Sequence, residues 1–109
     1  MENLLQVKNP ATGQVIKEIR INTEEEIKQA LKAGHDSFKK WAKVNAHERA
    51  RLLRNWSQII QEHKAEIAEI MTLENGKPLS ESLGEVDYAA SYIDWYAEEA
   101  KRIYGRTVP

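Results

Sequence analysis

Cysteine is absent from all 109 residues. That excludes disulfides, zinc–thiolate centres and a thiol nucleophile. It also agrees with the cytoplasm, the location expected here. Glycine occurs only five times and always singly, so there is no glycine-rich loop to cradle a phosphate. Neither sign of charge is in excess: 16 lysines and arginines face 17 aspartates and glutamates, for a net charge of −1. Nucleic-acid binders concentrate basic charge on one face, so no nucleic-acid partner is expected. No apolar run approaches the roughly 20 residues that span a bilayer. The opening MENLLQVKNP lacks a basic segment followed by an apolar one, so no signal peptide is read and no membrane partner is expected. A chain of this length makes one domain or a piece of one, with a modest core.

What is present is mostly helical periodicity. The richest stretch runs from Leu73 to Gly105. Gly76 reads as a left-handed helix cap, and Pro78 stops the helix and suits the first turn of the next. Leu79, Leu83, Val86, Ala90, Ile93, Ala97, Ala100 and Tyr104 then step by four and three, a narrow apolar seam along one helix ending at Gly105. Tyr88, Tyr92 and Trp95 form a second stripe on a neighbouring face. A helix with two apolar faces needs protein on two sides, more than this chain supplies. Part of a larger assembly is therefore the expectation.

Upstream, Leu4, Leu5 and Val7 lead into the turn-forming run Asn9-Pro10-Ala11-Thr12-Gly13. Val15, Ile19 and Ile21 share one face at period 2, which predicts a hairpin whose second strand is half-buried. Thr23-Glu24-Glu25-Glu26 is a capping box at a helix start. Ile27, Ala30, Leu31, Gly34, Phe38 and Trp41 mark the apolar face of that helix, to about residue 43. Asn45 with Glu48 opens the next, whose predicted core face is Leu52, Leu53, Trp56, Ile59 and Ile60. Polar Gln61–Lys64 predicts a break, after which Ile67, Ile70 and Met71 resume the pattern. Thr107-Val108-Pro109 reads as the start of an extended segment. The fold class expected is mostly α with a small N-terminal β-hairpin: residues 1–22 the hairpin and 23–109 a helical array, together one partial domain.

No catalytic apparatus is visible in the residues alone. His35, His47 and His63 do not pair at i, i+4, so each reads as a surface histidine rather than a metal ligand. The acidic pairs Glu24–Glu26 and Glu98–Glu99 read as caps and solvated faces. Ser80, Ser82 and Ser91 have no candidate base nearby and read as helix-surface serines. Arg49, Arg51 and Arg54 form a solvated face or, in the sharper alternative, an ion-pair link to protein outside the chain.

Four segments carry a resemblance: Asn9–Ile16 (NPATGQVI), Glu48–Leu53 (ERARLL), Leu73–Leu79 (LENGKPL) and Trp95–Gly105 (WYAEEAKRIYG). In this order and spacing they resemble the N-terminal region of the NAD(P)-dependent aldehyde dehydrogenases over essentially the whole chain. GEVDYAASYIDWYAEEAKRIYG is most similar to the succinate-semialdehyde branch. The resemblance implies a piece of an α/β dinucleotide-binding domain, ending before its core. It implies NAD or NADP as cofactor of the complete enzyme, which oxidises an aldehyde to the acid through a cysteine, a water-activating glutamate and an oxyanion-binding asparagine. Those groups and the cofactor-binding turn lie beyond this chain, so no residue here is expected to be catalytic or cofactor-binding. The resemblance also implies a monovalent-cation site drawing on the Glu74 carboxylate and the carbonyls of Val7 and Lys8. That site is incomplete without a further carbonyl from downstream, and in this chain alone Glu74 reads as a helix-end surface carboxylate. Two functional readings follow: a structural segment of the enzyme, inactive alone, or a stand-alone helical interaction module derived from it. The expected partners are the remainder of such an enzyme and a second copy bound through the helix read as Asp87–Tyr104.

Overall fold

A computed structural model describes residues 3–109. Met1 and Glu2, where the segment read for a leader begins, lie outside the described residues. Strands β1 (Leu4–Lys8) and β2 (Val15–Arg20) pair antiparallel from Leu4 opposite Arg20 to Val7 opposite Lys17. A bulge between Val7 and Lys8 then sets Lys8 against Val15. The turn closes as its residues dictate. The Asn9 side chain accepts from the Ala11 N–H at 2.9 Å, and Gly13 takes φ 73°, which a side chain would resist.

Four helices follow: α1 (Glu24–Trp41), α2 (Ala46–Glu62), α3 (Lys64–Asn75) and α4 (Leu79–Glu99). Thr23 caps α1 in a complete capping box: its hydroxyl accepts from Glu26 N–H, and the Glu26 carboxylate accepts from Thr23 N–H at 2.8 Å. Asn45 caps α2 by accepting from Glu48 N–H at 2.9 Å. The expected break falls at His63, shared by the end of α2 and the start of α3. Gly76 ends α3 at φ 77°, as the left-handed cap predicted.

The core is a seam in which α2 and α3 lean on α4. Its buried residues are Ala50 and Ser57 of α2, Ala68 of α3, and Ser82, Val86, Ala90 and Ala97 of α4. None exceeds valine in size, so the helices approach through small side chains. The hydroxyls at the seam are bonded: Ser82 to Thr72 at 2.8 Å, and Ser57 to the Ala90 carbonyl at 3.4 Å. Ser82 is therefore a core residue, not the surface serine expected, because it lies one position before the predicted seam residue Leu83 and faces α3.

Three other expectations are corrected. The face of α2 toward α4 is Ala50, Leu53, Ser57 and Ile60, while Leu52, Trp56 and Ile59 point away and are exposed. The largest apolar residues drew the prediction, but the close approach to α4 selects the small ones. The α4 helix stops at Glu99 rather than at Tyr104–Gly105: its last turn closes through Ala100 N–H to Tyr96 O, and Tyr104 is exposed beyond it. The helix expected to self-associate, read as Asp87–Tyr104, therefore ends at Glu99. Lastly, β2 is exposed throughout rather than half-buried, and α1 buries no residue.

These uncovered faces show in the shape. The radius of gyration is 18.9 Å, against roughly 13 Å for a compact domain of this length. The hairpin turn meets the end of α3: a Cβ built on Gly76 would lie 2.8 Å from Pro10 Cγ.

The α1 cap supplies a pH prediction. Arg20 is hydrogen-bonded to Glu26 through both carboxylate oxygens, at 3.0 and 2.8 Å. That bond, with the Thr23 N–H next, lowers the Glu26 pKa to about 2. A depressed carboxylate stabilises the fold above its unfolded pKa and loses that contribution as pH falls through the folded value. The start of α1 should hold at pH 5 and fray as pH falls from about 4.5 to about 2. NMR titration of the Glu26 side chain measures it; a midpoint near 4.5 would contradict the cap.

Candidate functional site

The three expected cation ligands sit on the two segments that meet at Pro10 and Gly76. Glu74, near the end of α3, is exposed, Val7 is half-buried on β1, and Lys8 is the exposed residue after the bulge. Glu74 and Lys8 each lie two residues from the contact. A carboxylate and two carbonyls are the hard oxygens such a cation prefers, but three fall short of the six or more that hard cations such as calcium take. The fold brings the two segments together at Pro10 and Gly76. Among the described residues no group of three or more His, Asp or Glu is placed to hold a metal ion.

A dinucleotide needs free backbone N–H groups at a helix start fed by a tight turn. The start of α1 is occupied by Thr23 and by the Glu26 carboxylate, itself paired with Arg20. Asn45 occupies α2, α3 begins directly on α2 at His63, and α4 opens after Pro78 with Glu81 in its first turn. The residues present do not fit a dinucleotide.

The singled-out polar groups are satisfied by structural partners. Arg51 pairs with Glu48, Arg54 with Glu98 at 2.5 Å, and Arg49 donates to the Val44 carbonyl at 3.0 Å. The arginine cluster thus binds within the chain. Lys101 and Arg54 hold Glu98, Lys101 foremost in keeping its carboxyl below the usual range, and Arg102 holds Glu99. Glu24 pairs with Lys28 at 2.6 Å, and His63 meets Glu66 at 3.2 Å. Mostly buried Lys77 reaches Glu85 at 2.5 Å, fastening the α3–α4 turn onto α4.

An open cavity of about 400 Å³ lies on the outer face of α4, lined by Tyr88, Ser91, Tyr92, Trp95 and Tyr96. Tyr88 and Tyr92 meet edge to face, ring centroids 5.0 Å apart, with hydroxyls at 3.1 Å. That hydrogen bond, then burial, raises the Tyr88 pKa above the phenolic value of 10. Ser91 spends its hydroxyl on the Tyr88 carbonyl at 2.6 Å, so the cavity holds no activated nucleophile. The sequence showed three of these five residues as a stripe. Ser91 and Tyr96 flank it at helical spacing and were the ones missed.

The family model described as "Aldehyde dehydrogenase family" matches residues 1–109. The chain belongs to the aldehyde dehydrogenase family. Among aldehyde dehydrogenases, the mitochondrial succinate-semialdehyde dehydrogenase of Arabidopsis thaliana is 43% identical over 105 residues, 96% of this chain and 20% of that protein. The NADP(+) succinate-semialdehyde dehydrogenase of Escherichia coli is 45% identical over 105 residues, 96% of this chain and 22% of that one. The crystal structure of an aldehyde dehydrogenase from Brucella melitensis biovar abortus superposes with a TM-score of 0.93 at 48% identity, covering 98% of this chain and 22% of that one. The chain thus spans about a fifth of the length of the aldehyde dehydrogenases it matches. Its fold, a hairpin followed by four helices, is that of the corresponding part of those enzymes. No helix among the described residues is long and apolar enough to cross a membrane.

Proposed function

We propose that this chain is a structural segment of an aldehyde dehydrogenase that oxidises succinate semialdehyde to the acid with NAD or NADP, in the cytoplasm. The family match along the whole chain carries the proposal, with relatives named for succinate semialdehyde at 43–46% identity. Other relatives are named for glutarate semialdehyde and aspartate semialdehyde. These substrates share an aldehyde and a carboxylate on one short chain. The Escherichia coli and Saccharomyces cerevisiae relatives are named for NADP(+).

Residues 1–109 then form one partial domain, hairpin 1–22 and helices 23–109, laid as an outer layer on the dinucleotide-binding core. The dinucleotide, when bound to the complete enzyme, accepts the hydride. This chain's residues brace that core: the Pro10–Gly76 contact fixes the hairpin to α3, and Lys77–Glu85 fixes the turn to α4. Glu74, Val7 and Lys8 contribute part of a monovalent-cation shell that downstream residues complete. Without those residues, a second copy covers the aromatic face of α4.

The isolated chain is expected to be inactive. With succinate semialdehyde and either nicotinamide cofactor, absorbance of the reduced cofactor should not rise, and calorimetric titration with NAD or NADP should show no saturable binding. Turnover that survives removal of trace full-length enzyme would overturn this. The reading frame after the Pro109 codon separates the two functional readings. Continuation into glycine-rich, glutamate and cysteine motifs supports the enzyme segment; a stop codon with its own regulation supports the stand-alone helical interaction module.

A further inference from the structure

The uncovered apolar surface lies on three elements that are each already folded. On α1, Ile27, Leu31, Phe38 and Trp41 are exposed along one face. On α4 the outer face is aromatic, while its opposite side is sealed against α2 and α3 by Ser82, Val86, Ala90 and Ala97. On the hairpin, Leu4, Leu5, Val15, Ile16 and Ile19 are open. The backbone carrying these faces superposes at TM-score 0.93 on a chain of which it covers only 22%. Faces pre-shaped to a surface they do not themselves contain lose little order on meeting it.

We infer that this chain docks non-covalently, in trans, onto an aldehyde dehydrogenase chain lacking the matched segment, through the outer faces of α1 and α4 and the hairpin. The inference rests on the family reading above and adds that no peptide link is needed. The partner is the remaining four-fifths of such an enzyme. A second copy of this chain offers only like surface, and none of the four-fifths of the related chain that lies outside the superposed part. The mixed complex is therefore favoured over the homodimer, which forms when the remainder is absent.

The test uses the Escherichia coli relative, 45% identical over the matched 105 residues. Its chain without those residues is prepared alone, mixed with the 109-residue chain, and covalently fused to it. NADPH formation from succinate semialdehyde and sedimentation are followed in all three. Mixing is expected to raise NADPH formation on the order of tenfold over the remainder alone, less than fusion, because the fused segment has a high effective concentration. A mixed species should sediment beside it. Phe38→Glu with Trp41→Glu, and separately Tyr92→Lys with Trp95→Glu, should each remove the gain while circular dichroism of the free chain stays helical. An active fusion with inactive, unassociated separate chains overturns docking in trans and leaves the family reading standing. Inactivity in both arms, with the fused segment as protease-sensitive as the free one, overturns that reading and the inference with it. Gain that persists in both double variants shows that these faces are not the docking surface.

Discussion

The purified chain at roughly tens of micromolar is expected to scatter light as a dimer or larger, and the Tyr92→Lys, Trp95→Glu variant as predominantly monomer. Tyr88, Tyr92, Trp95 and Tyr96 are 63%, 51%, 64% and 59% exposed on one face of α4. Fully burying a large apolar side chain contributes roughly 1.5–3 kcal/mol. Soluble monomers seldom leave a large contiguous patch of this kind open. A lysine and a glutamate inside the patch must be desolvated on association, which opposes it without touching the buried seam on the opposite side of α4. The turn Gly76-Lys77-Pro78 also lets α4 exchange between copies, so a swapped dimer is one form the association can take. A wild-type chain that remains monomeric would show that this exposed stripe does not drive self-association, and would favour the stand-alone module.

Gly76→Ala is expected to cost about 1–3 kcal/mol, from a left-handed backbone that a side chain resists and from collision with the hairpin turn. Gly13 separates the two causes. Its φ of 73° matches the 77° of Gly76, yet a Cβ there meets nothing within 4 Å. Gly13→Ala should therefore report the backbone strain, and the excess at Gly76 should report Pro10. Pro10→Ala in the Gly76→Ala background should recover that excess, since contacting residues couple in a double-mutant cycle. Urea unfolding of the wild type, Gly13→Ala, Gly76→Ala, Pro10→Ala and the Pro10→Ala, Gly76→Ala double variant measures it. Equal losses at Gly13 and Gly76 would show that the hairpin is not braced on α3.

Local structure was legible because it rests on short-range chemistry. The Thr23–Glu26 box, the Asn45 cap, the break at His63 and the Gly76–Pro78 stop each depend on a few adjacent residues, and each stands where its residues put it. The middle of the α4 seam was legible too, since Val86, Ala90 and Ala97 repeat at a helical step and are buried. The end of that helix was not. Ala100 and Tyr104 keep the period, but nothing in the period records that the chain leaves the helix after Glu99. As for function, the sequence offered only the absence of cysteine and of a phosphate-binding turn, together with the resemblance.

Element order, caps, breaks and family were thus determined by the sequence itself, because each is written in neighbouring residues or in motifs kept in order. Which face of each helix lies inside was decided by tertiary structure. Hydrophobicity marked Leu52, Trp56 and Ile59 as the core of α2, but close helix approach admits only small side chains and chose Ala50 and Ser57. It placed Ser82 inside for the same reason, with Thr72 to satisfy its hydroxyl. It also left α1 and the hairpin uncovered, in a chain that spans about a fifth of the length of the relatives it matches.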